Sequence, residues 1–139
     1  MLAAETTIDR LARWAKGRDN VRSLIVTSTR AIPGAHVDAY SDYDVGAAVL
    51  LRDGRVVTGV NVENASYPLG MCAERCALAR VVAEGGRPGD VEAVAVTASP
   101  CGGCRQWLHE FGVERVIFLH EGEVLVRRPD DLLPDSFEL

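Results

Sequence analysis

Two hydrophobic periods alternate along the chain, one helical and one strand-like, and turns rich in Gly and Pro separate them. Ile8, Leu11, Ala12 and Ala15 recur at helical spacing behind Thr6 and Thr7, either of which can cap, and Gly17 follows. This predicts a helix over 7–16. Residues 22–28 are rich in β-branched side chains and predict a strand, followed by a turn at Pro33-Gly34. Residues 45–51 and 55–60 flank Asp53-Gly54, the pattern of a β-hairpin. After a loop of Asn, Ser, Tyr and Pro, residues 72–84 carry a helical apolar face that ends at Gly85-Gly86. Residues 91–98 are a short apolar run between turn residues and predict a buried strand. Pro100 suits the first turn of a second helix, 101–111, which Gly112 stops; residues 116–119 predict a further buried strand. Strands joined through helices favour parallel pairing, while the hairpin is antiparallel, so the sheet is expected to be mixed. The expectation is one α/β domain over 1–139: a three-layer α/β/α sandwich around about five strands, with its ligand site at strand ends.

Composition narrows the function. At 139 residues and 47% hydrophobic, the chain can build one core and not two. It has no apolar run of the roughly 20 residues that span a bilayer, and its first residues lack the basic and apolar stretches of a secretory leader. A membrane partner is therefore not expected. A net charge of -5 argues against holding nucleic acid by its phosphates. Four cysteines in a chain expected to be cytoplasmic read as metal ligands or thiols rather than as a disulfide framework.

The chemistry concentrates in Cys72-Ala73-Glu74-Arg75 and Pro100-Cys101-Gly102-Gly103-Cys104-Arg105-Gln106. Cys72 and Cys101 stand at two predicted helix starts, where free N–H groups and the helix dipole favour thiolate. Cys104 lies one turn into the second helix, facing the same way as Cys101. Three soft sulfur donors suggest zinc with an open fourth position, the pattern of catalytic sites. Glu74 is two residues past a ligand, close enough to hydrogen-bond a water there and act first as base, then as acid. A Glu followed by Pro-Cys-x-x-Cys is the signature of zinc deaminases.

Residues 40–139 resemble the cytidine deaminase family in its short, three-cysteine, homotetrameric form. Four ordered motifs carry the resemblance: Tyr40-Ser41-Asp42-Tyr43-Asp44-Val45-Gly46-Ala47-Ala48, Asn61-Val62-Glu63-Asn64-Ala65-Ser66-Tyr67, and the two cysteine segments. The resemblance implies one zinc per chain on Cys72, Cys101 and Cys104. It implies that Glu74 shuttles protons while water attacks C4 of cytosine and ammonia leaves. It places Asn61 and Glu63 on the ribose hydroxyls and Arg75 on the ligand sulfurs. Tyr43 stands where the family has a Phe near the substrate, and Phe137 where an aromatic reaches the base in a neighbouring subunit. The implied reaction converts cytidine and 2′-deoxycytidine to the uridine products, in pyrimidine salvage. A carboxylate at 63 suits sugar hydroxyls, which donate, and repels phosphate, so a nucleoside is expected rather than a nucleotide. Three thiolates leave a divalent ion at minus one, which Arg75 offsets.

Other residues have plainer readings. Cys76, one turn after Cys72, reads as a buried thiol; His36, His109 and His120 read as surface or hydrogen-bonded residues. Arg105 and Gln106 read as structural, and Tyr67 as a packing or interface residue. The first 40 residues depart from the family. Residues 5–45 resemble a fragment of an aminoglycoside-type nucleotidyltransferase, in which Asp42 and Asp44 are expected on one face of a strand to hold a divalent metal. Two alternatives follow: a deaminase-like chimera that binds zinc without turnover, and nucleotidyl transfer by the amino-terminal segment.

Overall fold

The structure is a computed structural model and describes residues 40–139. The predicted helix 7–16, strand 22–28, the Pro33-Gly34 turn and His36 lie outside those residues. The described elements are β1 (Gly46–Leu51), β2 (Val56–Val60), α1 (Ala73–Ala83), β3 (Val91–Val96), α2 (Gly102–Glu110), β4 (Arg115–His120), β5 (Glu123–Arg127) and the short α3 (Pro129–Leu132). They build a five-stranded sheet in the order β2-β1-β3-β4-β5. It is mixed, as expected: β3 and β4 are parallel, and β1–β2, β1–β3 and β4–β5 are antiparallel.

The topology explains where a site can form. Both neighbours of β1 run antiparallel to it, so β2 and β3 point the same way, with α1 crossing over β1 between them. The α2 crossover then aligns β4 with β3. The carboxyl ends of β2, β3 and β4 therefore share one edge, and both helix starts lie beside it. Ligand sites in α/β sheets form at such an edge.

Local sequence accounts for most boundaries. The α1 helix ends where Gly85 adopts φ +94, and the Gly86 N–H reaches back to the Val81 carbonyl at 2.8 Å. That left-handed stop is natural for Gly and costly for a side chain. Among the described residues the fifth strand of the sheet is β5. Its hairpin turns on Glu121 and Gly122, with φ 48 and 82, and pairs His120 with Glu123. Two positive φ values mark a tight turn that Asn-Gly or Asp-Gly would announce far more clearly.

One apolar sheet face packs the helices. Val49, Val94 and Val116 of the strands meet Leu78 and Val81 of α1 and Leu108 of α2, all inaccessible to solvent. The opposite face carries a smaller cluster of Ala48, Ala93, Ala95 and Ile117. The described residues thus supply the sheet and one helical layer of the expected sandwich. Contact between α1 and β2 is close because Gly59 faces Ala73 and Ala77. A Cβ on Gly59 would stand 2.4 Å from the Ala77 nitrogen and 2.5 Å from the Ala73 oxygen. Neither backbone atom can yield without moving the helix that begins with Cys72 and Glu74.

The pairing of Asp42 with Asp44 on a strand is corrected. Residues 42–45 form no strand, and Asp42 adopts φ 55. A left-handed residue breaks the alternation that would have put both carboxylates on one face.

Candidate active site and metal centre

Cys72 and Cys101 are the residues immediately before α1 and α2, both extended, at φ -70, ψ 155 and φ -70, ψ 168. Each helix therefore points its unpaired N–H groups toward its own cysteine. Cys104, within the first turn of α2, is fully buried. The three Sγ atoms all lie within 4.8 Å of one another, and Cys72 and Cys101 are 3.7 Å apart. Two sulfurs bound at about 2.3 Å to one tetrahedral zinc stand about 3.8 Å apart, so this donor set fits that ion. Cys76 is half-buried and lies outside the cluster.

The sulfurs are electrostatically unlike. Hydrogen bonds from Cys104, Arg75 and Cys101 lower Cys72 to about 5, against the penalty of partial burial. The Cys104 thiol is pushed up, first by its hydrogen bond to Cys72 and then by burial. Arg75 donates from Nη2 to Cys72 Sγ at 3.7 Å and to the Gly70 carbonyl at 3.2 Å. The guanidinium thus places positive charge directly against a thiol that favours its anion.

Glu74 follows Cys72 by two residues on α1 and is 3% exposed. Its Oε2 accepts from Cys104 Sγ at 3.6 Å. Burial, with a smaller contribution from Cys72, raises its carboxyl to about 7. A carboxyl so placed can both release and take up a proton near neutral pH.

A cavity of about 510 Å³ opens in front of these groups. Cys72, Glu74, Arg75 and Cys101 line it, together with Tyr43, Asn61 and Glu63. A two-way backbone pairing of Val62 with Met71, at 2.8 Å each way, draws the segment after β2 against the start of α1. Asn61 and Glu63 are thereby carried to the cavity beside the cysteines. Asn61 Oδ1 accepts from the Val45 N–H, and its Nδ2 donates to the Tyr43 carbonyl, both at 2.9 Å. Glu63 accepts from the Tyr40 N–H at 2.7 Å, the Ser41 N–H at 3.0 Å and the Ser41 hydroxyl. Tyr43 and Tyr67 are exposed at the rim.

Phe137 does not join this group within one chain. It is exposed and absent from the cavity wall, and its carbonyl accepts from Gln106 Nε2 at 3.1 Å. Arg105 donates to the Pro100 carbonyl at 2.9 Å and the Leu132 carbonyl at 3.0 Å, tying α3 to the segment that presents Cys101. His109 is hydrogen-bonded to Asp130, Ser136 and Glu138, and His120 lies 4.0 Å from Glu121. The sequence reading assigned no part to Ser41 or Gly59. Each acts through a contact 14 to 22 residues away that no local period announces.

A mixed α/β sheet with three converging thiols and a buried carboxylate at its strand ends defines a zinc hydrolase of the deaminase class. Residues 18–120 match the family described as the cytidine and deoxycytidylate deaminase zinc-binding region. The chain belongs to that family, and its cofactor is zinc. It is 46% identical over 118 residues to a cytidine deaminase of Mycobacterium tuberculosis, covering 81% of this chain and 85% of the relative. It is 42% identical over 123 residues to one from Halalkalibacterium halodurans, covering 82% and 91%. The crystal structure of cytidine deaminase from Burkholderia pseudomallei superposes with a TM-score of 0.76 at 43% identity, covering 83% of this chain and 97% of that one. The family match begins at residue 18, so it takes in part of the stretch that resembles a nucleotidyltransferase fragment.

Proposed function

We propose that the chain hydrolyses the 4-amino group of cytidine and 2′-deoxycytidine, giving the uridine nucleoside and ammonia. One observation carries this reading. Three thiols lie within 4.8 Å of one another, Cys72 and Cys101 on the wall of a cavity and Cys104 buried behind it, with a carboxylate 3.6 Å from Cys104. Cys72, Cys101 and Cys104 would hold the zinc. When bound, that ion supplies the Lewis acidity that makes water a nucleophile near neutral pH. Glu74 takes a proton from the attacking water at a carboxylate oxygen, delivers it to ring N3 and carries the next one to the departing amino group. Its burial suits this work, because a carboxyl raised to about 7 binds and releases protons readily near neutrality. Asn61 and Glu63 orient the sugar. The Glu63 carboxylate only accepts hydrogen bonds, which favours hydroxyl groups over phosphate.

We further infer a homotetramer in which Phe137 of one subunit approaches the base held by another. Its exposure and its absence from the cavity of its own chain support this arrangement. Cytoplasmic location and a place in pyrimidine salvage accord with the nucleoside chemistry and with four free thiols among the described residues. No helix among the described residues is long and apolar enough to cross a membrane.

The test uses the purified chain. Zinc content close to one per chain, ammonia release from cytidine and falling cytosine absorbance are expected together. Zinc without ammonia would point to a deaminase-like protein that has lost turnover, and absence of both would overturn the reading. Light scattering checks the tetramer.

Arg75→Ala should weaken zinc binding or turnover by about 10- to 100-fold, the usual effect of losing a group that supports a metal ligand. The substitution removes the cation that touches Cys72. Zinc retention against a competing chelator and turnover are the two measurements. No change in either would remove Arg75 from the site.

A further inference from the structure

Among the described residues, three side-chain and backbone donors converge on Glu63, and these come from the Tyr40-Ser41 turn. Ser41 supplies two of them, its N–H to Oε2 and its hydroxyl to Oε1, so it grips both carboxylate oxygens. The same hydroxyl accepts from the Tyr43 N–H at 3.2 Å. Asn61 completes the bracket by binding the backbone on both sides of Asp44. The two residues assigned to the sugar are thus the same two that fasten the cavity rim to the segment after β2.

A carboxylate has about four acceptor sites. With three taken by described residues, Glu63 has about one left to offer a ligand, and its direction is set because the carboxylate cannot rotate while both oxygens are held. Asn61 likewise keeps one acceptor site and one N–H. Together they offer a fixed place for a hydroxyl that donates to Glu63 and accepts from Asn61.

We propose that Ser41 is a positioning residue: it orients the Glu63 carboxylate toward a sugar hydroxyl and so sets preference for nucleosides that carry one. This deepens the reading above and rests on it. Ser41 itself touches no reacting atom. Its removal should therefore be felt in binding of the sugar and not in the chemistry at the base.

The experiment compares Ser41→Ala with the parent enzyme on cytidine and on 2′,3′-dideoxycytidine, which lacks both ring hydroxyls. For cytidine, kcat/KM should fall about tenfold to a hundredfold, the scale of a hydrogen bond to a charged group, with the loss in KM and little in kcat. For the dideoxynucleoside it should hardly change. Ser41→Thr, which keeps the hydroxyl, should restore preference for cytidine. Zinc content reports whether each variant keeps an intact site. If Ser41→Ala does not fold, Ser41→Cys, a weaker donor of similar size, takes its place in the comparison.

Equal loss on both substrates would make Ser41 a purely structural residue of the rim and overturn the proposal. So would an unchanged cytidine preference, or a parent enzyme that does not distinguish the two substrates. A parent enzyme that releases no ammonia from either would instead overturn the deaminase reading, so the two failures are distinct.

Discussion

Glu74→Gln is expected to lower kcat by about 10²- to 10⁴-fold, the usual contribution of a positioned general acid–base. Gln has nearly the size of Glu and fits the same buried place beside Cys104 Sγ, which lies 3.6 Å from Glu74 Oε2. It cannot take up a proton from water or give one to the leaving nitrogen. The side chain is buried at 3% exposure, so bulk solvent has poor access to replace it as a proton carrier. None of the clustered sulfurs belongs to residue 74, and zinc content should stay at the parent level. KM should move little, because the substitution leaves Asn61 and Glu63, the residues proposed to hold the sugar, unchanged. Ammonia release under saturating cytidine, measured beside zinc content, checks both halves. Near-parental turnover with zinc present would mean that another group carries the proton.

The parts of the site that a sequence can express are those written in local spacing. Cys72 and Cys101 each precede a helical apolar pattern, and Cys104 follows Cys101 by three residues. A helix start and a one-turn offset are enough to predict convergence of thiols, and their sulfurs do converge within 4.8 Å. The Asp53-Gly54 hairpin and the buried strands β3 and β4 were legible for the same reason. What stayed hidden depends on contacts between distant segments. Gly59 reads as one more residue of a strand until α1 is laid across it. The grip of Ser41 on Glu63 spans 22 residues. β5 escaped because Glu121-Gly122 is a weak turn signal beside Asn-Gly, although Val124, Leu125 and Val126 make an apolar run. The Asp42–Asp44 pairing failed because strand alternation presumes extended backbone, and Asp42 is left-handed. Local propensity carries the elements, and packing decides how they address one another.

Cys104→Ala should abolish zinc retention and activity together, while Cys76→Ala leaves both intact. Cys104 is the buried member of the cluster, and its loss leaves only Cys72 and Cys101, with Sγ atoms 3.7 Å apart. Two thiolates bind zinc far more weakly than three, because the ion must then fill two positions from solvent. After dialysis against a chelator, the Cys104 variant should hold less than about a tenth of an equivalent of zinc, and cytidine turnover should fall to background. The parent chain should melt at a higher temperature with zinc than without it, since a ligand that binds only the folded state stabilises by about 2.7 kcal/mol at a hundred times its Kd. Cys104→Ala should show almost none of that zinc-dependent rise. Cys76 supplies the control: it is a half-buried thiol on α1, one turn beyond Cys72, and it stands outside the cluster. If Cys76→Ala lost zinc as readily as Cys104→Ala, the ligand set would have to be redrawn around a different sulfur. If neither lost it, the ion would be held elsewhere in the chain.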